Sequence, residues 1–237
     1  PSALQTLTFG DSFNRNLDAV AWPSGLQKLV FGDNSQQGLN GVILPAGLQM
    51  LTVGARAGRI SDGTLLPSGL QTLTCFNQDL LGVTLPSGLR HLRFDPAFLT
   101  VDKMPMKRSS DSVILPSNLC TLALGNSYNR RLDSRSFPGG LQRLHLGDFY
   151  TQSLEGATFP SELRELTIGL SFNGSLNGAC FPSSFQKLSL GIMFNQSLAG
   201  VEWPSGLREL TLGKRFNQSL VGAALPDGLQ TLTLGCS

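Results

Sequence analysis

Charge is scarce in this chain and histidine scarcer: Lys, Arg, Asp and Glu make up 14% of 237 residues, two histidines occur, and the formal net charge is +2. A balance so thin and so nearly neutral excludes the broad basic signature of a general nucleic-acid or lipid-surface binder. Cysteine is equally sparse. Cys75, Cys120, Cys180 and Cys236 are scattered and none forms a C-x-x-C pair, which excludes a disulfide framework. Thiols used this way fit a reducing, intracellular or organellar compartment. No apolar run approaches the roughly 18 residues that a membrane span requires. A signal-peptide pattern is missing from the first residues, although residue 1 need not be the natural start.

The motifs of catalysis are missing as well. The chain has no H-E-x-x-H, phosphate-loop or G-x-G-x-x-G sequence. Gly10-Asp11-Ser12, Gly125-Asn126-Ser127 and Gly169-Leu170-Ser171 begin like nucleophile turns, but none completes G-x-S-x-G. His91 and His145 lie far apart in the chain, with no thiol or carboxylate at ligand spacing. No catalytic residue, metal ligand or cofactor site is therefore expected.

What the chain has in abundance is itself. Pro-x-x-Leu units start at Pro1, Pro23, Pro45, Pro67, Pro86, Pro116, Pro138, Pro160, Pro182, Pro204 and Pro226, most of them spaced as Pro1 is from Pro23. So regular a period is the mark of a repeat architecture. With the proline as position 1, the consensus is P-S-G-L-Q-x-L-x-L-G-x-x-F-N-Q-S-L-x-G-V-x-L, nearly ideal from Pro204 to Leu225. Leu at 7 and 9 between polar residues at 6 and 8 is the alternation of a half-buried strand. Gly at 10 ends that strand. An aromatic at 13, Leu at 17 and a large apolar residue at 22 supply further inward anchors, and the proline that follows 22 holds it extended.

One coil cannot bury so many apolar positions, so the coils must stack to make a core. Glycines at 3, 10 and 19 leave little room for a long helix. The expected fold is therefore mostly β: a right-handed solenoid of about eleven 22-residue coils sharing one parallel sheet, running as a single body from 1 to 237. Asn14, Asn77, Asn129, Asn173, Asn195 and Asn217, at position 14, are expected to point inward and hydrogen-bond neighbouring coils as a structural ladder. The sequons Asn173-Gly174-Ser175, Asn195-Gln196-Ser197 and Asn217-Gln218-Ser219 are read as parts of that ladder rather than as sites of glycosylation. Glu165 and Glu209 sit two coils apart with Lys187 at the same position between them, which reads as a charge ladder and not as a carboxylate pair. The terminal coils carry no polar cap, so the array is expected to continue or to be capped by a neighbour.

The core L-x-x-L-x-L-G-x-x-F-N-Q-x-L, clearest at Phe194 to Gln196 and Phe216 to Gln218, resembles the FNIP repeat, a 22-residue relative of leucine-rich repeats. The resemblance covers nearly the whole chain and implies a leucine-rich-repeat-like protein-interaction array without a cofactor. Two coils depart from it, with Ser35-Gln36-Gln37 and Ala57-Gly58-Arg59 in place of F-N-Q.

The array is irregular in its middle. The coil 67–85 is short, with Cys75 running directly into Phe76-Asn77-Gln78, and the next coil carries an insertion within 95–112. From Arg90 to His145 nine Lys or Arg face four Asp, a net +5 that leaves −3 for the remainder. Arg90, His91, Arg93, Lys103, Lys107, Arg108, Arg143 and His145 are accordingly the candidate partner-binding residues, suited to an acidic protein surface. The expected function is a non-catalytic interaction or scaffold module, an accessory or peripheral subunit of a larger assembly. The alternatives are an extracellular adhesion repeat, or an ice-binding solenoid using the pairs Thr6/Thr8, Thr72/Thr74 and Thr231/Thr233.

Overall fold

The computed structural model describes residues 2–17, 20–33, 39, 41–55, 60, 64–75, 80, 83–94, 114–126, 128–132 and 137–235. The fold is a parallel β-solenoid of eleven strands, and no helix occurs among the described residues. Contacts divide the chain into two compact units, Pro1–Leu119 and Cys120–Ser237. The first holds β1 (Thr6–Phe9), β2 (Lys28–Phe31), β3 (Met50–Val53), β4 (Thr72–Cys75) and β5 (His91–Phe94). The second holds β6 (Thr121–Ala123), β7 (Arg143–Leu146), β8 (Glu165–Ile168), β9 (Lys187–Leu190), β10 (Glu209–Thr211) and β11 (Thr231–Thr233).

Within each unit every strand lies parallel to its sequence neighbour in an unshifted register, as in Arg143↔Glu165↔Lys187↔Glu209↔Thr231. The short coil keeps the register too. Thr72 pairs with His91 and Leu73 with Leu92, although this coil lacks part of the usual loop. A parallel ladder requires only that like positions meet, so the missing loop residues leave the strands unshifted.

Three tight turns recur where the coils are described. The amide of position 4 donates to the proline carbonyl, as in Leu163 to Pro160 at 3.0 Å; that of position 13 donates to the carbonyl of Gly at 10, as in Phe194 to Gly191 at 3.2 Å; and that of position 20 donates to position 17, as in Ala179 to Leu176 at 3.2 Å. Three corners in so short a coil leave only short extended legs, which is why no helix fits. At the third corner Gly156, Gly178, Gly200 and Gly222 adopt φ of 68° to 78°, where a side chain would be strained. The glycine of the second corner has a different reason. A Cβ on Gly191 would run into the Gly169 carbonyl of the preceding coil, and one on Gly213 into that of Gly191. Backbone here rests on backbone.

The core follows from the alternation. Leu144, Leu166, Leu188 and Leu210 at position 7 and Leu141, Leu163, Phe185 and Leu207 at position 4 are fully buried. At position 13 the rings of Tyr128, Tyr150, Phe172, Phe194 and Phe216 form a continuous stack with centroids 5.9 to 6.1 Å apart. Phe159, Phe181 and Trp203 make a second stack at position 22, with spacings of 5.5 and 6.3 Å. Each such ring pair adds about 0.5–1.5 kcal/mol beyond the area it buries. The Tyr150 hydroxyl is buried with no hydrogen-bond partner among the described residues. Burial pushes the phenols up, Tyr128 to about 12 from an ordinary 10.0, against a smaller lowering by Arg130; Tyr150 moves in the same direction, again through burial first.

Two glycine substitutions have opposite expected outcomes. Gly191→Ala lowers stability in denaturant unfolding by about 1–3 kcal/mol through the collision with Gly169. Gly139→Ala, whose Cβ would meet no heavy atom within 4 Å, is neutral or stabilising by up to about 1 kcal/mol. For the tyrosines, a folded-state value above the unfolded one stabilises the fold fully below pH 10.0 and loses that contribution as pH rises toward about 12. Thermal midpoints should therefore fall above pH 10.0 in the native chain, and the double variant Tyr128→Phe/Tyr150→Phe should reduce that alkaline fall, leaving the part owed to the buried Cys75 thiol, which burial also pushes up.

Candidate functional site

Because successive side chains on a strand point to opposite faces, the residues that alternate with the core leucines form the outward face of the sheet. In the second unit this face consists of three columns one coil apart. Gln142, Arg164, Gln186, Arg208 and Gln230 precede the strands; Arg143, Glu165, Lys187, Glu209 and Thr231 follow at position 6; His145, Thr167, Ser189, Thr211 and Thr233 occupy position 8. The backbone anchors all three, since each position-5 carbonyl accepts two amides of the next coil, as Gln142 accepts from Arg164 at 2.9 Å and Glu165 at 3.0 Å.

The position-6 column alternates in charge. Arg143 Nε lies 3.1 Å from Glu165 Oε1, and Lys187 Nζ lies 2.5 Å from Glu209 Oε2. The Glu209 hydrogen bond and charge, with a smaller push from Glu165, hold Lys187 protonated above its ordinary range. Exposed pairs of this kind add little to stability. Their consequence is a fixed pattern of sign along the face.

The predicted partner-binding residues fall in three places. His91 and Arg93 are outward and exposed on β5 of the first unit, with exposed Arg90 just before them. Arg143 and His145 are outward on β7 of the second unit, and Arg143 is already paired with Glu165. Lys103, Lys107 and Arg108, with the rest of the insertion within 95–112, lie outside the described residues. So do Asn77, Ser35-Gln36-Gln37, Ala57-Gly58-Arg59 and Cys236.

The described asparagines of position 14 do not point inward. Asn129 and Asn195 are half-buried, and Asn14, Asn173 and Asn217 are exposed. The aromatic at 13 takes the inward place, and the next residue turns out. Their amides run along the stack: Asn173 Oδ1 accepts the Asn195 amide at 2.8 Å, Asn195 Oδ1 accepts that of Asn217 at 2.8 Å, and Asn129 Oδ1 accepts that of Thr151 at 2.9 Å. The glutamine that follows joins in, with Gln196 Nε2 donating to Asn173 Oδ1 at 3.2 Å and Gln218 Nε2 to Asn195 Oδ1 at 3.1 Å. The sequon serines act within their own coil, where Ser175 Oγ accepts the Asn177 amide at 3.0 Å and Ser197 Oγ that of Ala199 at 3.2 Å. N-x-S recurs because Asn joins coils and Ser closes a turn.

A feature the consensus hides is the corner after the strand. Positions 11 and 12, polar in Gly10-Asp11-Ser12, carry Phe149, Leu170, Ile192 and Met193 in the second unit, and these are 51%, 46%, 39% and 38% exposed. The signal in the sequence was an apolar residue at a corner where solvent-facing residues are the rule.

A parallel repeat solenoid with a uniform core and a varied outer face defines the class: a leucine-rich-repeat-like protein, a fold that generally mediates protein–protein interaction. Residues 149–192 and 194–237 match the FNIP repeat model. The FNIP match covers those residues, and the chain as a whole resembles leucine-rich-repeat proteins. Among solved structures it is similar to CroV588, described as a novel circular leucine-rich-repeat protein, with a TM-score of 0.73 and 28% identity over 97% of this chain and 36% of that one. Its fold also resembles YopM from Yersinia enterocolitica WA-314, with a TM-score of 0.51 and 18% identity over 98% of this chain and 58% of that one. The chain thus spans about a third of the length of CroV588 and somewhat over half that of YopM. No curated protein matches the sequence. Among the described residues no helix is long and apolar enough to cross a membrane.

The asparagine ladder has a measurable consequence. Asn195→Ala removes the acceptor of two donors and should lower stability by about 1 kcal/mol in urea unfolding, whereas Asn195→Asp, which keeps an acceptor, should stay close to the parent.

Proposed function

We propose that this chain is a non-catalytic protein-interaction module serving as a scaffold or accessory subunit of a larger assembly. The observation that carries the reading is the division of labour along each strand. Leu144, Leu166, Leu188 and Leu210 repeat without change and are fully buried, while the adjacent outward residues run Arg143, Glu165, Lys187, Glu209. A core that only holds the stack together leaves the outward positions free to encode a partner. The similarity to leucine-rich-repeat structures supports the same reading.

On the first unit, Arg90 and Arg93, with His91 between them, present positive charge without a counter-ion pair among the described residues, which suits an acidic patch on the partner. On the second unit, Arg143 offers less, because Glu165 already answers it.

The test is purification from the natural source with lysine-directed crosslinking, followed by binding of the recovered partner to variants. The reading expects a stable partner crosslinked at Lys28 or Lys187, both on outward strand positions. Charge reversal by Arg90→Glu/Arg93→Glu should weaken binding about tenfold and reduce its salt dependence. A chain that purifies alone, without crosslinks, contradicts the module; a partner indifferent to the reversal removes the basic residues from it.

A further inference from the structure

The corner that follows the strands in the second unit carries a surface the sheet face does not. Its backbone is a ladder of its own: the Phe149 amide donates to Asn126 at 3.1 Å, Ser171 to Asp148 at 2.8 Å, Met193 to Leu170 at 3.0 Å and Arg215 to Ile192 at 3.0 Å. Four consecutive corners are thereby held in one row at the spacing of the strands. The glycine before each corner lets them approach so closely. Along the row the side chains change in order, from Phe149 through Leu170 to Ile192 and Met193, all 38% to 51% exposed. The next corner carries Lys214 and Arg215, both exposed and without an ion pair among the described residues.

Isolated apolar residues on a surface are ordinary, but exposed apolar residues on three successive corners, followed by two cations without an ion pair among the described residues, make a patterned surface. We propose that it docks an extended segment of a partner protein, with apolar side chains at alternate positions and a carboxylate at the end facing Lys214 and Arg215. The proposal rests on the reading of the chain as an interaction module and names where and what it binds.

The dimensions agree. From the Phe149 corner to the Arg215 corner is three strand spacings, about 14 Å. Residues i, i+2 and i+4 of an extended segment face one side and span about 13 Å. Two apolar side chains therefore reach Phe149 to Met193, and a carboxylate at i+4 reaches the cations. The charge fixes the direction in which the segment lies, because its acid must sit over Lys214 and Arg215 and not over Asp148 at the other end. A lipid surface is less well matched. Anionic membranes are held by clusters of about 4–8 basic residues, and here two stand at one end of side chains half packed against their own coils.

Selection of a random octapeptide display library on the purified full chain tests this directly. The expected products carry apolar residues at alternate positions and Asp or Glu at one end. An enriched peptide, labelled and followed by fluorescence anisotropy, should bind about tenfold more weakly to Leu170→Ser/Met193→Ser and to Lys214→Glu/Arg215→Glu. Replacing the peptide's acids by lysine should restore binding to the charge-reversed variant. Circular dichroism of both variants should match the parent, since all four residues are at the surface. The proposal is overturned if no peptide is enriched over the Leu170→Ser/Met193→Ser variant, or if the enriched peptide binds all forms alike. It is also overturned if phosphatidylcholine–phosphatidylserine vesicles bind the row and peptides do not, or if the row mediates a dimer that Leu170→Ser/Met193→Ser dissolves. A partner from the natural source that still binds both variants removes the row and leaves the module standing. Absence of any partner removes both.

Discussion

Main-chain hydrogen bonds between successive coils, in a register that brings like positions together, are the constraint on which the rest of this structure depends. Parallel pairing such as Leu166↔Leu188↔Leu210 sets every residue beside its counterpart one coil away. The leucines of the core, the rings from Tyr128 to Phe216 and the amides from Asn173 to Asn217 then stack on their own kind. The glycine at the second corner belongs to the same constraint. Without it the carbonyl of one coil could not approach the next, as Gly191 does Gly169. A parallel sheet gains little from any single ladder pair; what stabilises this one is that no coil has a core except through its neighbours.

That arrangement separates what the fold requires from what a partner reads. Inward positions are held to leucine, aromatic residues and glycine by packing. The outward positions of the strand and of the corner after it have no such duty, and there the coils differ: an alternating charge column on the sheet face, an apolar row along the corner, and Arg90 and Arg93 without an ion pair among the described residues. The register sets side by side whatever unusual residues consecutive coils carry at the same outward strand or corner, and the proposed interaction surfaces lie there.

Much of this is legible in the sequence, and the reason is periodicity. Leu at 7, Gly at 10 and the aromatic at 13 each recur with a physical role that one coil reveals and the others repeat. The shortened coil is visible as a deletion, and the unshifted pairing of Thr72 with His91 shows that it touches loops alone. The asparagines mislead because a polar side chain beside a buried aromatic invites an inward reading, whereas Asn173 and Asn217 lie exposed along the rim and bond between coils. The row from Phe149 to Met193 is hidden because averaging all the corners into one consensus erases what a few of them share. Arg143 reads as free positive charge in the sequence, and its pairing with Glu165 depends on a neighbour one coil away.

Residue-resolved amide hydrogen exchange, with and without the bound partner, tests most directly the claim that a fixed core carries an independent outer face. Slow amides should recur once per coil at the strand positions of the second unit, as in Glu165, Lys187 and Glu209, which donate to Gln142, Arg164 and Gln186. Partner binding should add protection at outward strand or corner positions and leave the slow amides unchanged. Slow exchange without that period, or protection that spreads through the core on binding, would contradict the account.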